Sequence, residues 1–104
     1  ELPPQLIKAF ASTLEDSIQS DLLLHVVDAS DPDYQTKIEV VEDILHRIHA
    51  DQQVIYVFNK IDQIDSLHKK TITDTYQDRP HVFVSAQTGL GLGELKEMIG
   101  EKLL

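Results

Sequence analysis

Two short clusters hold most of the residue types able to do chemistry: Asn59-Lys60-Ile61-Asp62 and Ser85-Ala86-Gln87-Thr88-Gly89. The group they suit is guanine. Its Watson–Crick edge presents two donors, N1–H and the exocyclic 2-amino group, beside the O6 acceptor. A carboxylate at Asp62 has two acceptor oxygens and can take both donors in one bidentate contact. Adenine has a bare N1 acceptor and no 2-amino group, so the same carboxylate would face a lone pair. A buried mismatch of that kind is costly enough for one Asp to set base identity. Asn59 carries an amide that can donate to N7 and tie neighbouring loops together. Lys60 can lay its methylene stem over the purine face and keep its ammonium in water. The backbone N–H of Ala86 can meet O6, and the small side chain there lets a base approach.

Asn-Lys-x-Asp alone is a weak signal, arising by chance in about 1 in 100 chains of this length. Its weight comes from its position, which depends on the elements around it. Leu22-Leu23-Leu24-His25-Val26-Val27 is a short, nearly continuous apolar run, expected to be a strand buried on both faces. Val54 to Phe58 is rich in β-branched and aromatic residues, and Val82-Phe83-Val84 forms a third short run, so both read as strands. Between them the apolar spacing becomes helical. Tyr34, Ile38, Val41, Leu45 and Ile48 stripe a helix over 32–50, with Asp31 as its cap and Pro32 at its first position. A weaker pattern predicts a helix over 64–78. Leu92, Leu95, Met98, Ile99 and Leu103 stripe a last one, and Leu6, Ile7, Phe10, Leu14 and Ile18 a first one behind Pro3 and Pro4.

The order α-β-α-β-α-β-α implies a parallel sheet with right-handed crossovers, an α/β fold in three layers. Helices 32–50 and 64–78 should share one face, leaving the last helix on the other. In such sheets ligands bind outside the carboxyl ends of the strands. Both chemical clusters stand there, each directly after a strand. Three strands are few for such a domain, and the leucine-rich first strand has the composition of a central strand, so a further strand is expected beside it.

Composition narrows the function classes. Eighteen acidic residues against nine Lys and Arg give a net charge of −9, which argues against a surface held to nucleic acid by phosphate charge. The absence of cysteine excludes disulfides, thiolate metal sites and cysteine nucleophiles. No apolar run is long enough to span a bilayer, and no leader pattern opens the chain, so no membrane association and a cytoplasmic location are expected.

Asn59-Lys60-Ile61-Asp62 with Ser85-Ala86 resembles the two base-recognition motifs of the P-loop GTPases. Leu2-Pro3-Pro4-Gln5-Leu6-Ile7, the run Asp21 to Pro32 and Ser85-Ala86-Gln87-Thr88-Gly89 together resemble one branch, the HflX family of ribosome-associated GTPases. The similarity is dense over 2–34 and 54–95 and thin over 63–80. The resemblance implies a partial Rossmann-like G domain and guanine held by Asn59, Lys60, Asp62, Ser85, Ala86 and Gln87. It also implies GTP or GDP with Mg²⁺ as cofactors, GTP hydrolysis by the parent protein, and the large ribosomal subunit as partner. Two departures stand out. The family usually has Lys where this chain has Gln87, which removes a cation from the second side of the base. Neither Gly-x-x-x-x-Gly-Lys-Ser/Thr nor Asp-x-x-Gly occurs, so ligands for phosphate, Mg²⁺ and the attacking water are lacking. Residues 1–104 therefore read as the carboxyl half of a G domain, its first strands absent, inactive by itself and prone to self-association through an exposed strand edge. The competing reading is a nucleotide-independent interaction module built on a partial α/β domain.

Other clusters have plainer readings. Asp28, Asp31 and Asp33 suit a strand end and a capped helix start better than a metal or phospho-acceptor site. His46 and His49 with Glu42 suit a solvated helix end, where cations complement the dipole. His25 reads as a packed residue with one satisfied nitrogen. Gly89-x-Gly91-x-Gly93 lacks the third small residue of a dinucleotide loop and is expected to turn the chain beneath a base.

Overall fold

The structure, a computed structural model, describes residues 4–5 and 21–103. The expected first helix lies outside the described residues apart from Pro4 and Gln5, which are helical. The remaining elements follow in the expected order: β1 (Leu22–Asp28), α1 (Tyr34–Arg47), β2 (Gln53–Asn59), a 3-10 turn (Ile61–Gln63), α2 (Ser66–Thr75), β3 (His81–Phe83) and α3 (Leu92–Leu103). The strands are parallel and ordered β1-β2-β3, with Val26 beside Val57 and Val57 beside Val82 in register.

Strand alternation sends successive side chains to opposite faces and so creates two cores. On one face Val27, Tyr56 and Phe58 meet Tyr34 and Ile38 from α1, Ile72 from α2, and Tyr76. Phe58 is fully buried, with ring centroids of Tyr76 and Phe83 at 5.4 and 5.7 Å. On the other face Ile55, Val57, Val82 and Val84 pack against Leu95, Met98 and Ile99 of α3. The expected partition holds: α1 and α2 on one side, α3 on the other.

Three local expectations need correction. β1 is not buried on both faces; Leu24 and Val26 are 43% and 61% exposed. Of the β1 side chains on that face only Leu22 packs with the cluster of Ile55, Val57, Val82 and Val84 under α3, and Leu24 and Val26 do not belong to it. Asp31 does not cap α1. Helix α1 begins two residues later than expected, behind Asp33, and Asp31 instead accepts the Asp33 N–H at 2.9 Å and pairs with Lys37. This is the local side-chain turn that competes with capping. His25 packs against Tyr56, but its Nδ1 is buried without a hydrogen-bond partner among the described residues. Burial lowers its pKa, and the charge of Glu42 opposes that.

Other features match their reading or extend it. His46 and Arg47 occupy the last turn of α1 and are exposed, and His49 takes a left-handed φ of 59° where the helix ends. The Asp65 carboxylate caps α2 by accepting the His68 N–H at 2.7 Å. At the amino-terminal end of the sheet, Glu42 gathers the Tyr56 hydroxyl at 2.5 Å and the Arg79 guanidinium at 2.6 Å. Burial, then that hydrogen bond, pushes the Tyr56 phenol up to about 12. No helix among the described residues is long and apolar enough to cross a membrane.

Among the described residues no strand pairs with the outer edge of β1. An unpaired edge beside exposed Leu24 and Val26 is a template for pairing with another chain. Purified 104-residue chain is therefore expected to self-associate, and Val26→Lys to reduce this. Light scattering at high concentration reads the mass directly, and a clean monomer would contradict the expectation.

Candidate functional site at the carboxyl tips of the strands

Parallel pairing brings the carboxyl ends of all three strands to one side of the sheet, and the two chemical clusters meet there. Asn59 is the last residue of β2. Its carbonyl accepts the Ala29 N–H at 3.0 Å, and its side-chain Oδ1 accepts the Ala86 N–H at 3.0 Å. Two further bonds join the same segments: Val84 N–H to the Phe58 carbonyl at 2.8 Å and Ile61 N–H to the Val84 carbonyl at 3.1 Å. The loops after β2 and β3 are thus tied together by residues 27 apart in sequence. Lys60 turns the chain out of the strand with a left-handed φ of 65°, a conformation that costs a non-glycine residue about 1–2 kcal/mol. Asp62 follows, exposed in the 3-10 turn, whose Gln63 N–H returns to the Lys60 carbonyl at 2.9 Å.

The second loop is built around Ser85, which is 1% exposed. Its N–H donates to the Leu90 carbonyl at 2.8 Å, and its carbonyl accepts the Gly89 N–H at 2.7 Å. Its hydroxyl oxygen accepts the Thr88 N–H at 3.2 Å. Ser85 therefore shapes the loop from inside, while Ala86, Gln87 and Thr88 are exposed at its tip. Gly91 closes the turn with φ at 80°, so near β3 that a Cβ there would lie 2.0 Å from the Phe83 carbonyl oxygen.

Placement differs from expectation in one respect with chemical consequences. The Ala86 N–H, offered above to O6, already donates to Asn59 Oδ1, so any O6 acceptor would have to share that donor.

Asp28, read from the sequence as a strand end, joins the site, and Ser30 joins it with no earlier assignment. Asp28 lies beside Asn59 in the β1–β2 register, and its Oδ2 accepts the Lys60 ammonium at 2.9 Å. Its Oδ1 accepts both the Ser30 hydroxyl at 2.6 Å and the Ser30 N–H at 2.9 Å. The Ser30 hydroxyl, then the Lys60 ammonium, hold the Asp28 carboxyl down at about 2. A depressed carboxyl favours the folded state above the ordinary 3.8, and that contribution is lost as pH falls toward about 2. The Asp28 carboxylate is thus ionised at neutral pH. The signal was available, since a parallel register of adjacent strands sets the end of β1 beside the end of β2.

Crossovers of one hand, a helix layer on each face and two linked loops at the carboxyl edge define a partial α/β domain of the P-loop GTPase type. No protein-family model matches the chain. Individual relatives do. A GTPase HflX of Methanocaldococcus jannaschii is 44% identical over 99% of this chain. GTPase HflX of Escherichia coli is 38% identical over 98% of it, and that of Flavobacterium psychrophilum is 51% identical over 60%. The chain belongs to the HflX family. It spans about a quarter of the length of the first two relatives, 27% and 24%, and 15% of the third.

Proposed function

We propose that the complete protein carrying residues 1–104 is a GTPase, and that this segment supplies its guanine recognition. In this reading Asp62 takes the two donors of the base edge, and the Lys60 stem covers one purine face. Ala86 leaves room for O6, and Gln87 lies against the second face through its amide. Asn59 and Ser85 hold the two loops in their mutual position. The observation that carries the reading is the hydrogen bond between Asn59 Oδ1 and the Ala86 N–H, which couples two separate motifs into one rim. Family membership supports the large ribosomal subunit as partner and the cytoplasm as the compartment.

The phosphates and Mg²⁺ are a different matter. No Gly-x-x-x-x-Gly-Lys-Ser/Thr and no Asp-x-x-Gly occurs in residues 1–104. No group of three or more acidic or imidazole side chains among the described residues is arranged to hold a metal ion. These residues do not fit Mg²⁺ or a triphosphate. The chain by itself is accordingly expected to release no phosphate from GTP and to retain the nucleotide poorly. Turnover by pure 104-residue material would refute that. For the complete protein, calorimetric titration should give GDP an affinity at least about 100-fold above that for ADP. Equal affinities, or no binding of either, would leave only the family and the fold.

A further inference from the structure

We propose that Asp28 is a positioning residue for the purine: together with Ser30 it anchors the Lys60 ammonium and so fixes where the Lys60 stem crosses the base. The inference rests on the guanine reading above and deepens it by naming what holds one of its parts.

The oxygens of Asp28 are divided in a way that suits an anchor. Oδ1 takes both Ser30 donors, the hydroxyl at 2.6 Å and the N–H at 2.9 Å. Oδ2 is left to the Lys60 ammonium at 2.9 Å. Two local bonds thus orient the carboxylate, and it presents its other oxygen across the sheet tip. The neighbouring acid does not compete, because Asp31 is engaged with Lys37 and the Asp33 N–H.

The Lys60 backbone is fixed as well. Its left-handed φ turns the chain out of β2, its carbonyl accepts the Gln63 N–H at 2.9 Å, and the Ile61 N–H is held by the Val84 carbonyl. A lysine stem is otherwise a flexible chain of four methylenes. Held at both ends, it becomes a short bar between β1 and β2, and little rotamer freedom remains to be lost when a flat ring settles on it. A methylene stem contacts the face of a ring and does not read its edge. Asp28 therefore acts on affinity for purine nucleotides in general, whereas Asp62 acts on the choice among them.

The test is a double-mutant cycle in the complete protein, titrated with GDP and with inosine diphosphate, which lacks the 2-amino group. Asp28→Ala and Lys60→Ala are each expected to weaken both nucleotides by the same factor, about three- to five-fold, as suits an exposed ion pair. The double variant should lose no more than Lys60→Ala alone. Asp28→Asn, nearly isosteric and still able to accept from Lys60, should fall between wild type and Asp28→Ala, and it decides the matter if Asp28→Ala does not fold. Unchanged affinity in the Asp28 variants, losses that add to those of Lys60→Ala, or losses that differ between the two nucleotides would each overturn the positioning role. Asp62→Asn is run alongside. If it shifts base preference while Asp28 variants bind as wild type, only the positioning role fails. If it leaves preference untouched, the guanine reading fails and this inference falls with it.

Discussion

Asp62→Asn in the complete protein is expected to exchange guanine for xanthine nucleotides. The carboxylate at 62 can accept from N1–H and from the 2-amino group at once. An amide in its place offers one acceptor and one donor, and the donor would point at the 2-amino group of guanine, leaving two donors face to face. Xanthine carries a carbonyl at that carbon, so the same amide meets it with a complementary pair. Mismatched polar groups in such a contact cost the full desolvation of each group, so affinity for GDP should fall by roughly 100-fold or more. Affinity for xanthosine diphosphate should rise by a comparable factor. Competition titration of the two nucleotides against wild type and variant reads the exchange directly. Asp62 is exposed in the turn after β2 and its side chain makes no hydrogen bond among the described residues, so the variant should unfold at the wild-type temperature. Unaltered discrimination in a well-folded variant would remove Asp62 from the reading.

A second large effect is expected from Gly91→Ala, and it concerns the fold beneath the site. Two costs coincide at this position. Its φ of 80° is strained for a residue with a side chain, and a Cβ would meet the Phe83 carbonyl oxygen at 2.0 Å. Real Cβ atoms do not approach a backbone oxygen so closely, so either the turn or the end of β3 must move. The Leu90 carbonyl that holds the Ser85 N–H lies next to this glycine, so displacement there disturbs the Ser85 loop. Destabilisation of about 3 kcal/mol or more is expected, visible as a lower denaturant midpoint at unchanged slope. Gly89→Ala is the control: its φ of 86° imposes a similar backbone strain, but nothing lies within 4 Å of the added atom, so its loss should be smaller. Equal effects at the two glycines would show that the contact with β3 is not what matters.

Much of the architecture was legible in the chain because it depends on short-range periodicity. The strand cores Val54–Phe58 and Val82–Phe83 are apolar and β-branched or aromatic, and the helical stripes have spacings of three and four. Right-handed crossovers then leave little choice of topology. The sharing of one face by α1 and α2 followed from that. The limits of the elements were less legible, since the start of α1 turned on whether Asp31 would cap the helix or bend the chain on itself. Burial of β1 was misjudged for a different reason. Residue type reports what a side chain tolerates, whereas exposure depends on which side chains of other elements pack over it, and here Leu22 joins the cluster under α3 while Leu24 and Val26 do not.

By itself the sequence determined that two polar clusters follow two strands, that one offers a carboxylate and the other a small residue, and that no phosphate loop accompanies them within these residues. Those facts are local, written in residue type and spacing. Only the tertiary structure decided that the Asn59 side chain takes the Ala86 N–H, that Ser85 faces inward, and that Asp28 holds Lys60. Each of these joins segments set side by side by strand register or by the closure of a loop, and hydrogen-bond donors choose among nearby acceptors by distance and direction. That choice exists only once the sheet has formed.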